Sequence, residues 1–294
     1  MLDSAQLQVE MQEKILLFWC ASFIGALGII VGWRQGFFHR FQASSIPAIR
    51  GKDVFRGFCY FLFIELLLAP AVVILAAKVF GVDMSDNMGT QMKGLLYLLI
   101  TIGGFIGVSL AFFELPAQQR SEIWSQDDVS WLWQVCIGIS AFLISYPVVL
   151  AFSQAVSIAI WHFFQSSFVE QAAVVHFRAL LDYPFLFLPT AFSVIILVPI
   201  TEEYLFRGLL QGWLKRKFHH TAAAIVVSSI IFALFHFSVD YGITNIELLT
   251  SLFLLSCMLG YIYERQRSLW APIGLHSVFN AWNVAMIFFE PKEG

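Results

Sequence analysis

Long apolar runs separated by short polar links dominate the chain. Eight runs reach or approach the roughly 20 residues that a helix needs to cross a bilayer. A helix satisfies its own backbone hydrogen bonds in lipid, whereas the open edge of a strand does not. The pattern therefore predicts an all-α fold, a polytopic membrane helical bundle with about eight transmembrane helices. The predicted spans are 15–33, 57–80, 94–113, 131–162, 185–213, 221–238, 247–263 and 271–289.

Composition agrees with lipid as the main surrounding of the bundle. Of the 294 residues, 59% are hydrophobic and only 13% are charged, about half the charged share of a typical soluble domain. The formal net charge of −3 provides no electrostatic footprint for a nucleic acid. We therefore expect membrane lipid as a partner and no nucleic acid.

Basic residues are distributed unevenly between the two sets of links. Eleven Lys and Arg residues fall on one side and five on the other. Because basic links stay in the cytoplasm, the asymmetry predicts a cytoplasmic turn at 215–217, an exported segment at 83–91 and both termini outside. Acidic residues outnumber Arg120 in its link, which makes that link the poorest fit. The basic links are 34–56, 114–130, 214–220 and 264–270.

The segment 163–183 has a mixed character. Several ionisable residues interrupt a stretch that could otherwise present an apolar face. An interfacial helix and a plain loop are equal alternatives for it. The interrupting residues are Glu170, His176, Arg178 and Asp182.

Six ionisable side chains lie inside predicted spans instead of links. Such a group at bilayer depth costs at least a few kcal/mol, so it needs a partner or a function. Glu203 and Arg207 are four residues apart on one helix, where their side chains can pair, and we expect this pair mainly to hold the helix together. The six residues are Glu65, Glu202, Glu203, Arg207, His236 and His276.

Glu202 points about 100° away from Glu203 on a helix of 3.6 residues per turn, so its neighbour cannot serve as a good partner. Glu202 precedes Lys217 in the basic turn by 15 residues, and His236 follows Phe218 by 18 residues. Two antiparallel helices with a rise of about 1.5 Å per residue therefore bring Glu202 and His236 to a similar depth. An unpaired carboxylate near a histidine is a candidate general base.

His276 and Asn280 are four residues apart and share a helix face. Both side chains can donate hydrogen bonds, and two fixed donors suit an oxyanion that develops at a carbonyl. Hydrogen bonding between helices, which both residue types provide in membranes, is the alternative interpretation. Glu65 has no evident partner in the sequence. We expect it to be either a buried structural acid or a group that faces a cavity.

Three short motifs around these residues resemble those of a known family. The stretch 201–208, Thr-Glu-Glu-Tyr-Leu-Phe-Arg-Gly, is similar to a Glu-Glu-x-x-x-Arg motif. The stretch 232–236, Phe-Ala-Leu-Phe-His, is similar to a Phe-x-x-x-His motif, and 269–280 contains a His-x-x-x-Asn arrangement. In this order on hydrophobic helices, they resemble the CAAX-processing and bacteriocin-processing (CPBP, Abi-like) family of intramembrane glutamic endopeptidases over roughly residues 185–285.

We therefore divide the chain into an N-terminal four-span membrane region at 1–170, which the resemblance does not cover, and a CPBP-like catalytic membrane core at 171–294. The resemblance implies an endopeptidase that hydrolyses a peptide bond of a membrane-associated protein or peptide, lipidated substrates included. The expected location is the cytoplasmic (inner) membrane of a prokaryote, as an integral multi-pass protein. The implied catalytic residues are Glu202, His236, His276 and Asn280, with Glu203 and Arg207 as structural support of the site.

Each of these residues has an implied role. Glu202 is the general base that activates water, and His236 helps to position that water. His276 and Asn280 stabilise the tetrahedral oxyanion. No cofactor is implied by this mechanism.

Two further interpretations stay open from the sequence. Glu202, His236 and His276 could form a two-His, one-carboxylate zinc site, although the chain has no His-Glu-x-x-His motif. A non-catalytic membrane partner, such as a bacteriocin-immunity type of protein, is the alternative from a different class. A transporter is disfavoured because the two halves lack paired broken helices.

Overall fold

The computed structural model describes residues 4–38, 48–81, 89–126, 129–164 and 172–289. Within these residues the regular structure is helical, with one isolated bridge between Ser125 and Ser268. The α-helices are α1 Ser4–Arg34, α2 Gly51–Phe63, α3 Ala69–Phe80, α4 Thr90–Phe113, α5 Ala117–Trp124, α6 Trp131–Phe164, α7 Ala172–Leu180, α8 Pro184–Phe192, α9 Val198–Glu203, α10 Gly212–Phe218, α11 Thr221–Leu234, α12 Asn245–Gln266 and α13 Trp270–Met286. The π-helical segments are π1 Ile64–Leu68, π2 Ser193–Leu197 and π3 Tyr204–Gln211, and a 3₁₀ segment covers Val239–Thr244.

Every predicted span corresponds to helix in the structure. Two of the eight are short, since α11 has 14 residues and α13 has 17. The prediction of an all-α, polytopic membrane bundle is confirmed, and the protein is an integral, multi-pass membrane protein. Among the described residues, six stretches have the length and apolar composition to cross a membrane: Met11–Arg34, Gly51–Val79, Thr90–Phe113, Trp131–Phe164, Pro184–Phe218 and Val239–Gln266.

The segment 163–183 contains helix α7, so the helical alternative is correct and the plain loop is not. Phe177 and Leu180 on α7 are buried against the bundle. The ring of Tyr97 on α4 contacts Phe177 with centroids 6.3 Å apart. Glu170 lies outside the described residues.

Contacts between helix ends define two ends of the bundle. The bridge between Ser125 and Ser268 joins the link after α5 to the link between α12 and α13. Arg265 donates to the carbonyl of Gly36 at 3.1 Å, which adds the end of α1. The links that carry most of the basic residues therefore meet at one end, which we call the basic end. The start of α4, helix α7 and the segment Val239–Thr244 lie at the opposite end.

Helix α13, which carries two of the predicted site residues, packs closely along α6. A Cβ at Gly138 of α6 would meet the carbonyl oxygen of Ala271. A Cβ at Gly274 of α13 would lie 2.7 Å from the carbonyl oxygen of Val135. The two glycines thus allow the backbones to touch, the usual device of helix pairs in membranes. This contact sets the position of His276, two residues after Gly274.

Prolines explain two of the three π segments. The N–H of Val198 bonds to Ser193 O, five residues back, and the next residue is Pro199. The same arrangement occurs where the N–H of Ala69 bonds to Ile64 O just before Pro70. Because proline has no N–H, the carbonyl one turn before it loses its partner. The helix widens there, and π-turns of this kind are frequent at functional sites.

The division of the chain at 170/171 stays a prediction. The boundary falls at 165–171, outside the described residues. Helix α6 from the first region packs on both α12 and α13 of the second. The proposed core is therefore supported laterally by the N-terminal spans.

Candidate active site

A cavity of about 260 Å³ lies at membrane depth between α2, α4, α9 and the end of α11. Its walls are mostly aromatic and aliphatic, and two carboxyl groups and a histidine face it. Sites of this kind, apolar with a few convergent polar groups, are the usual places for small-molecule or substrate binding. The lining residues include Phe61, Glu65, Tyr97, Thr201, Glu202, Phe206, Phe235 and His236.

The Glu202 carboxylate is the centre of the site. Its Oε1 lies 3.9 Å from Nε2 of His236, and its Oε2 lies 3.7 Å from Nε2 of His276. The structure thus brings Glu202 and His236 together, as their predicted similar depth in the membrane implied. Both separations are too long for direct hydrogen bonds. A water molecule that contacts the carboxylate and one of these nitrogens at once would lie to the side of the line between them.

His236 is held by its own helix end. Its backbone N–H bonds to Ala233 O in the last turn of α11, and Nδ1 lies 3.0 Å from Phe232 O. A carbonyl oxygen only accepts, so Nδ1 of His236 carries the hydrogen in this contact. In the neutral ring, Nε2 is then an acceptor and faces Glu202. The His236 ring also packs on the Phe232 ring, with centroids 4.9 Å apart.

His276 is held by the second glutamate of the motif. Its Nδ1 lies 2.8 Å from Oε1 of the fully buried Glu203. The same Oε1 accepts a hydrogen bond from Nη1 of Arg207 at 2.9 Å, so the predicted ion pair is present. Sequence reasoning gave Glu203 one partner on its own helix. The structure adds His276 from α13 as a second one.

Arg207 extends this network to α12. Its Nη2 donates to the side-chain and backbone oxygens of Ser256 at 2.8 and 3.2 Å. The guanidinium carbon lies 4.7 Å from the centroid of the Phe232 ring, a cation–π contact. Arg207 is 1% exposed and therefore fully desolvated. One buried cation thus joins the motif helix, α11 and α12.

Asn280 is on the same helix as His276 but contacts a different group. Its Nδ2 donates to the carbonyl of Val194 at 2.9 Å. That carbonyl is in π2, where the N–H of Val198 bonds to Ser193 and Pro199 has none to offer. Asn280 therefore satisfies the acceptor that the π-turn frees. An amide has a second N–H, and the oxyanion role of Asn280 stays a prediction.

The structure also places Glu65, for which the sequence left two alternatives. Glu65 lies in π1 and lines the cavity that contains Glu202. A signal for this was present, because Glu65 follows Arg50 by 15 residues and Glu202 precedes Lys217 by the same number. Equal distances from the basic end place both carboxyls at similar depth.

The zinc alternative concerns Glu202, His236 and His276. Zinc bonds to histidine nitrogen and carboxylate oxygen are about 2.0–2.2 Å long and converge on one point. Among the described residues, no group of three or more His, Cys, Asp and Glu side chains has an arrangement that holds a metal ion. Zinc binding by these three side chains therefore stays an untested alternative.

Comparison with known families agrees with this geometry. Residues 184–282 match a family model described as type II CAAX prenyl endopeptidase Rce1-like. The match covers roughly a third of the chain and contains every predicted site residue. No curated protein and no solved structure matches the chain.

The fold and the matched region together define a membrane-embedded hydrolase of the protease class. Residues 184–282 are similar to the type II CAAX prenyl endopeptidases of the Rce1-like family, which the CPBP resemblance also indicated. The motif resemblance seen in the sequence is thereby confirmed.

Proposed function

We propose that the chain is an intramembrane endopeptidase in which Glu202 activates a water molecule. The substrate is a membrane-associated protein or peptide, and lipidated substrates belong to this class. One observation carries the proposal: a carboxylate in a membrane-depth cavity lies between Nε2 atoms of two histidines, at 3.9 and 3.7 Å. The proposed location is the cytoplasmic membrane of a prokaryote, as the motif resemblance implies.

Glu202 and His236 can activate and orient the nucleophile together. Water that bridges them donates one hydrogen to Glu202 and the other to Nε2 of His236, whose Nδ1–H is bound to Phe232 O. Glu202 removes a proton as the water oxygen attacks the scissile carbonyl carbon. When the C–N bond breaks, the protonated Glu202 returns this proton to the leaving amine. Such acid–base catalysis contributes about 10²–10⁴-fold in rate.

His276 and Asn280 are the proposed donors to the oxyanion. Because Nδ1 of His276 contacts Glu203, donation to an oxyanion has to come from Nε2. Nε2 can donate only in the doubly protonated ring, whose charge the Glu203 carboxylate would balance, so the proton on Glu202 stays available for the leaving amine. Asn280 would use the N–H that is not bound to Val194. Fixed donors of this kind contribute about 2.7–4 kcal/mol each in other hydrolases.

Comparative proteomics of membrane fractions tests the proposal directly. Membranes with the wild-type chain and with Glu202→Ala should differ in at least one peptide bond, cut only by the wild type. Glu122→Gln, which removes a carboxylate at the basic end away from the cavity, is the matched control and should cut the same bond. Identical peptide profiles for wild type and Glu202→Ala would instead support a non-catalytic membrane partner.

The second candidate is a zinc protease that uses the same three side chains. The observation in its favour is that Glu202, His236 and His276 face each other. We expect purified protein to contain well under one zinc per chain and to keep its activity after chelation and dialysis. His276→Asn should retain some activity, since an amide still donates a hydrogen bond. Stoichiometric zinc, with activity lost on chelation and restored by zinc, would make Glu202 a ligand.

A further inference from the structure

A second, larger cavity adjoins the proposed catalytic one. Its volume is about 770 Å³, and Tyr97 and Ile100 of α4 line both cavities. The other walls come from α7, through Val175 and His176, and from Tyr241 in the 3₁₀ segment. The two cavities are therefore neighbours across one shared wall of α4.

The second cavity leads to the end of the bundle opposite the basic links. Thr90, where α4 begins, and Lys93 in its first turn line this cavity. Helix α11 has 14 residues and spans only about 21 Å of a hydrocarbon core that is roughly 30 Å thick. Its end at Leu234 therefore lies below the opposite surface. The catalytic cavity is thus recessed from the opposite end, with the second cavity above it.

The direction towards the basic end is closed. All eight residues of π3, Tyr204–Gln211, are buried directly after Glu202 and Glu203. Leu205 and Leu209 have no exposed surface, and they pack in the main hydrophobic cluster. Lys215, further along, pairs with Glu264 near the end of α12. Glu202 is 16 residues from Phe218, which puts about 24 Å of packed helix between the carboxylate and the basic turn.

The second cavity has the polarity of a passage for peptide. Lys93 and Tyr241 stand beside Leu96 and Ile100 in its walls. Burial lowers the pKa of His176 from its ordinary value, and the charge of Lys93 lowers it further. The His176 ring is therefore largely neutral at neutral pH. The lining thus combines aliphatic side chains and neutral polar groups with one lysine.

The charge distribution gives this passage a direction in the membrane. The basic end has the links with most Lys and Arg residues, and such links stay in the cytoplasm. We propose that the catalytic cavity is reached from the exported face, through the cavity between α4, α7 and the 3₁₀ segment. The substrates are then membrane-tethered polypeptides whose cleavable bond is presented on the exported side. The cleavage rests on the proposed function, whereas the route rests on cavities, burial and charge alone.

Accessibility of single cysteines to a membrane-impermeant thiol reagent tests the route. The four native cysteines are replaced, and Ile100→Cys or Leu96→Cys is introduced into the passage. Lys217→Cys in the basic turn is the matched control. We expect the passage cysteines to react in right-side-out vesicles and be protected in inverted ones, with the reverse for the control. Two passage positions keep the test valid where one substitution impairs folding.

Two results would overturn the route. One is reaction of the passage cysteines from the same face as Lys217→Cys, and the other is no reaction from either face in folded protein. Both leave proteolysis by Glu202 untouched. Conversely, full activity of a Glu202→Ala protein would refute the proposed mechanism but would not affect the conclusion from cysteine labelling. As a functional arm, labelling of Leu96→Cys from the exported face should block cleavage of the bond found by proteomics.

Discussion

At the scale of single residues, the site contains one carboxylate without a direct hydrogen bond, Glu202, and one that is bonded to two partners through a single oxygen, Glu203. The two carboxylate oxygens of Glu202 lie 3.9 and 3.7 Å from Nε2 of His236 and of His276, which is beyond hydrogen-bond length. Glu203, one residue later, contacts Arg207 and His276 directly and is completely buried. Adjacent positions on a helix face different directions, so two identical side chains serve different purposes here.

The first prediction concerns Glu202→Gln, which keeps the shape of the side chain but removes the proton acceptor. The catalytic rate should fall at least about 10²-fold, the usual effect of a lost general base. Cleavage of the bond found by proteomics measures the rate, and thermal melting in detergent checks that folding is unchanged. Full activity of a folded Glu202→Gln protein would contradict the mechanism.

The second prediction concerns the Glu203–Arg207 pair. Glu203→Ala or Arg207→Ala leaves its partner as an uncompensated buried charge, at a cost of about 3–5 kcal/mol. Both variants should express poorly or melt early in detergent. Glu203→Ala should also lower activity in whatever protein folds, because His276 loses the contact that orients its ring. Normal melting of both variants would show that the pair has no structural role.

At the scale of helical elements, a proline and an asparagine from distant helices act together. Pro199 has no N–H to bond to Val194 O in π2. Asn280 of α13 supplies the missing donor, since its Nδ2 bonds to Val194 O. The π-turn lies one helical turn before Glu202 and Glu203. Its geometry therefore influences the direction in which Glu202 points.

The third prediction tests this coupling with a double-mutant cycle. Asn280→Ala leaves the Val194 carbonyl unpaired and should cost about 1–3 kcal/mol of stability. Pro199→Ala restores an N–H near this carbonyl, so Asn280→Ala should cost much less in that background. Pro189→Ala, a proline of α8 outside π2, is the control and should not reduce the cost. Unfolding in detergent is the measurement, and strictly additive effects would contradict the coupling.

The same variants separate the two roles of Asn280. A purely structural Asn280 predicts that activity returns together with stability in the Pro199→Ala background. A donor to the oxyanion predicts that activity stays low although stability recovers. We expect the second result, since Asn280 has an N–H beyond the one bound to Val194.

At the scale of the whole molecule, charge sets the orientation and helix length sets the depth of the site. The links with most basic residues meet at one end, and the cavities open away from it. The link 114–130, the poorest fit in the charge pattern, lies at the basic end with the others. The bridge between Ser125 and Ser268 places this link at the basic end, although its own charges do not predict that position.

The fourth prediction concerns topology in the membrane. A reporter fused after Phe218 should report the cytoplasm, and one fused at Asn87 should report the exported side. Asn87 lies outside the described residues, so this site follows from the charge pattern of the sequence. Alkaline phosphatase and a cytoplasmic fluorescent reporter at each position provide opposite readouts. The same response at both positions would refute the orientation.

Much of this architecture follows from the sequence alone. The apolar runs predict all eight helical spans because lipid leaves the backbone no alternative to internal hydrogen bonds. The Glu203–Arg207 contact follows from a spacing of four residues on one helix. The approach of Glu202 to His236 follows from equal distances to one turn. Each of these inferences depends on a single helix or a single hairpin, where spacing along the chain fixes distance in space.

Only the tertiary structure decided how the remaining side chains are used. The contact of Glu203 with His276, the binding of Asn280 to Val194 and the place of Glu65 in the cavity all join helices far apart in the chain. Sequence periodicity gives the face of a residue on its own helix but not which helix packs against that face. That choice depends on the order and rotation of helices in the bundle, which close contacts such as Gly138 with Ala271 determine.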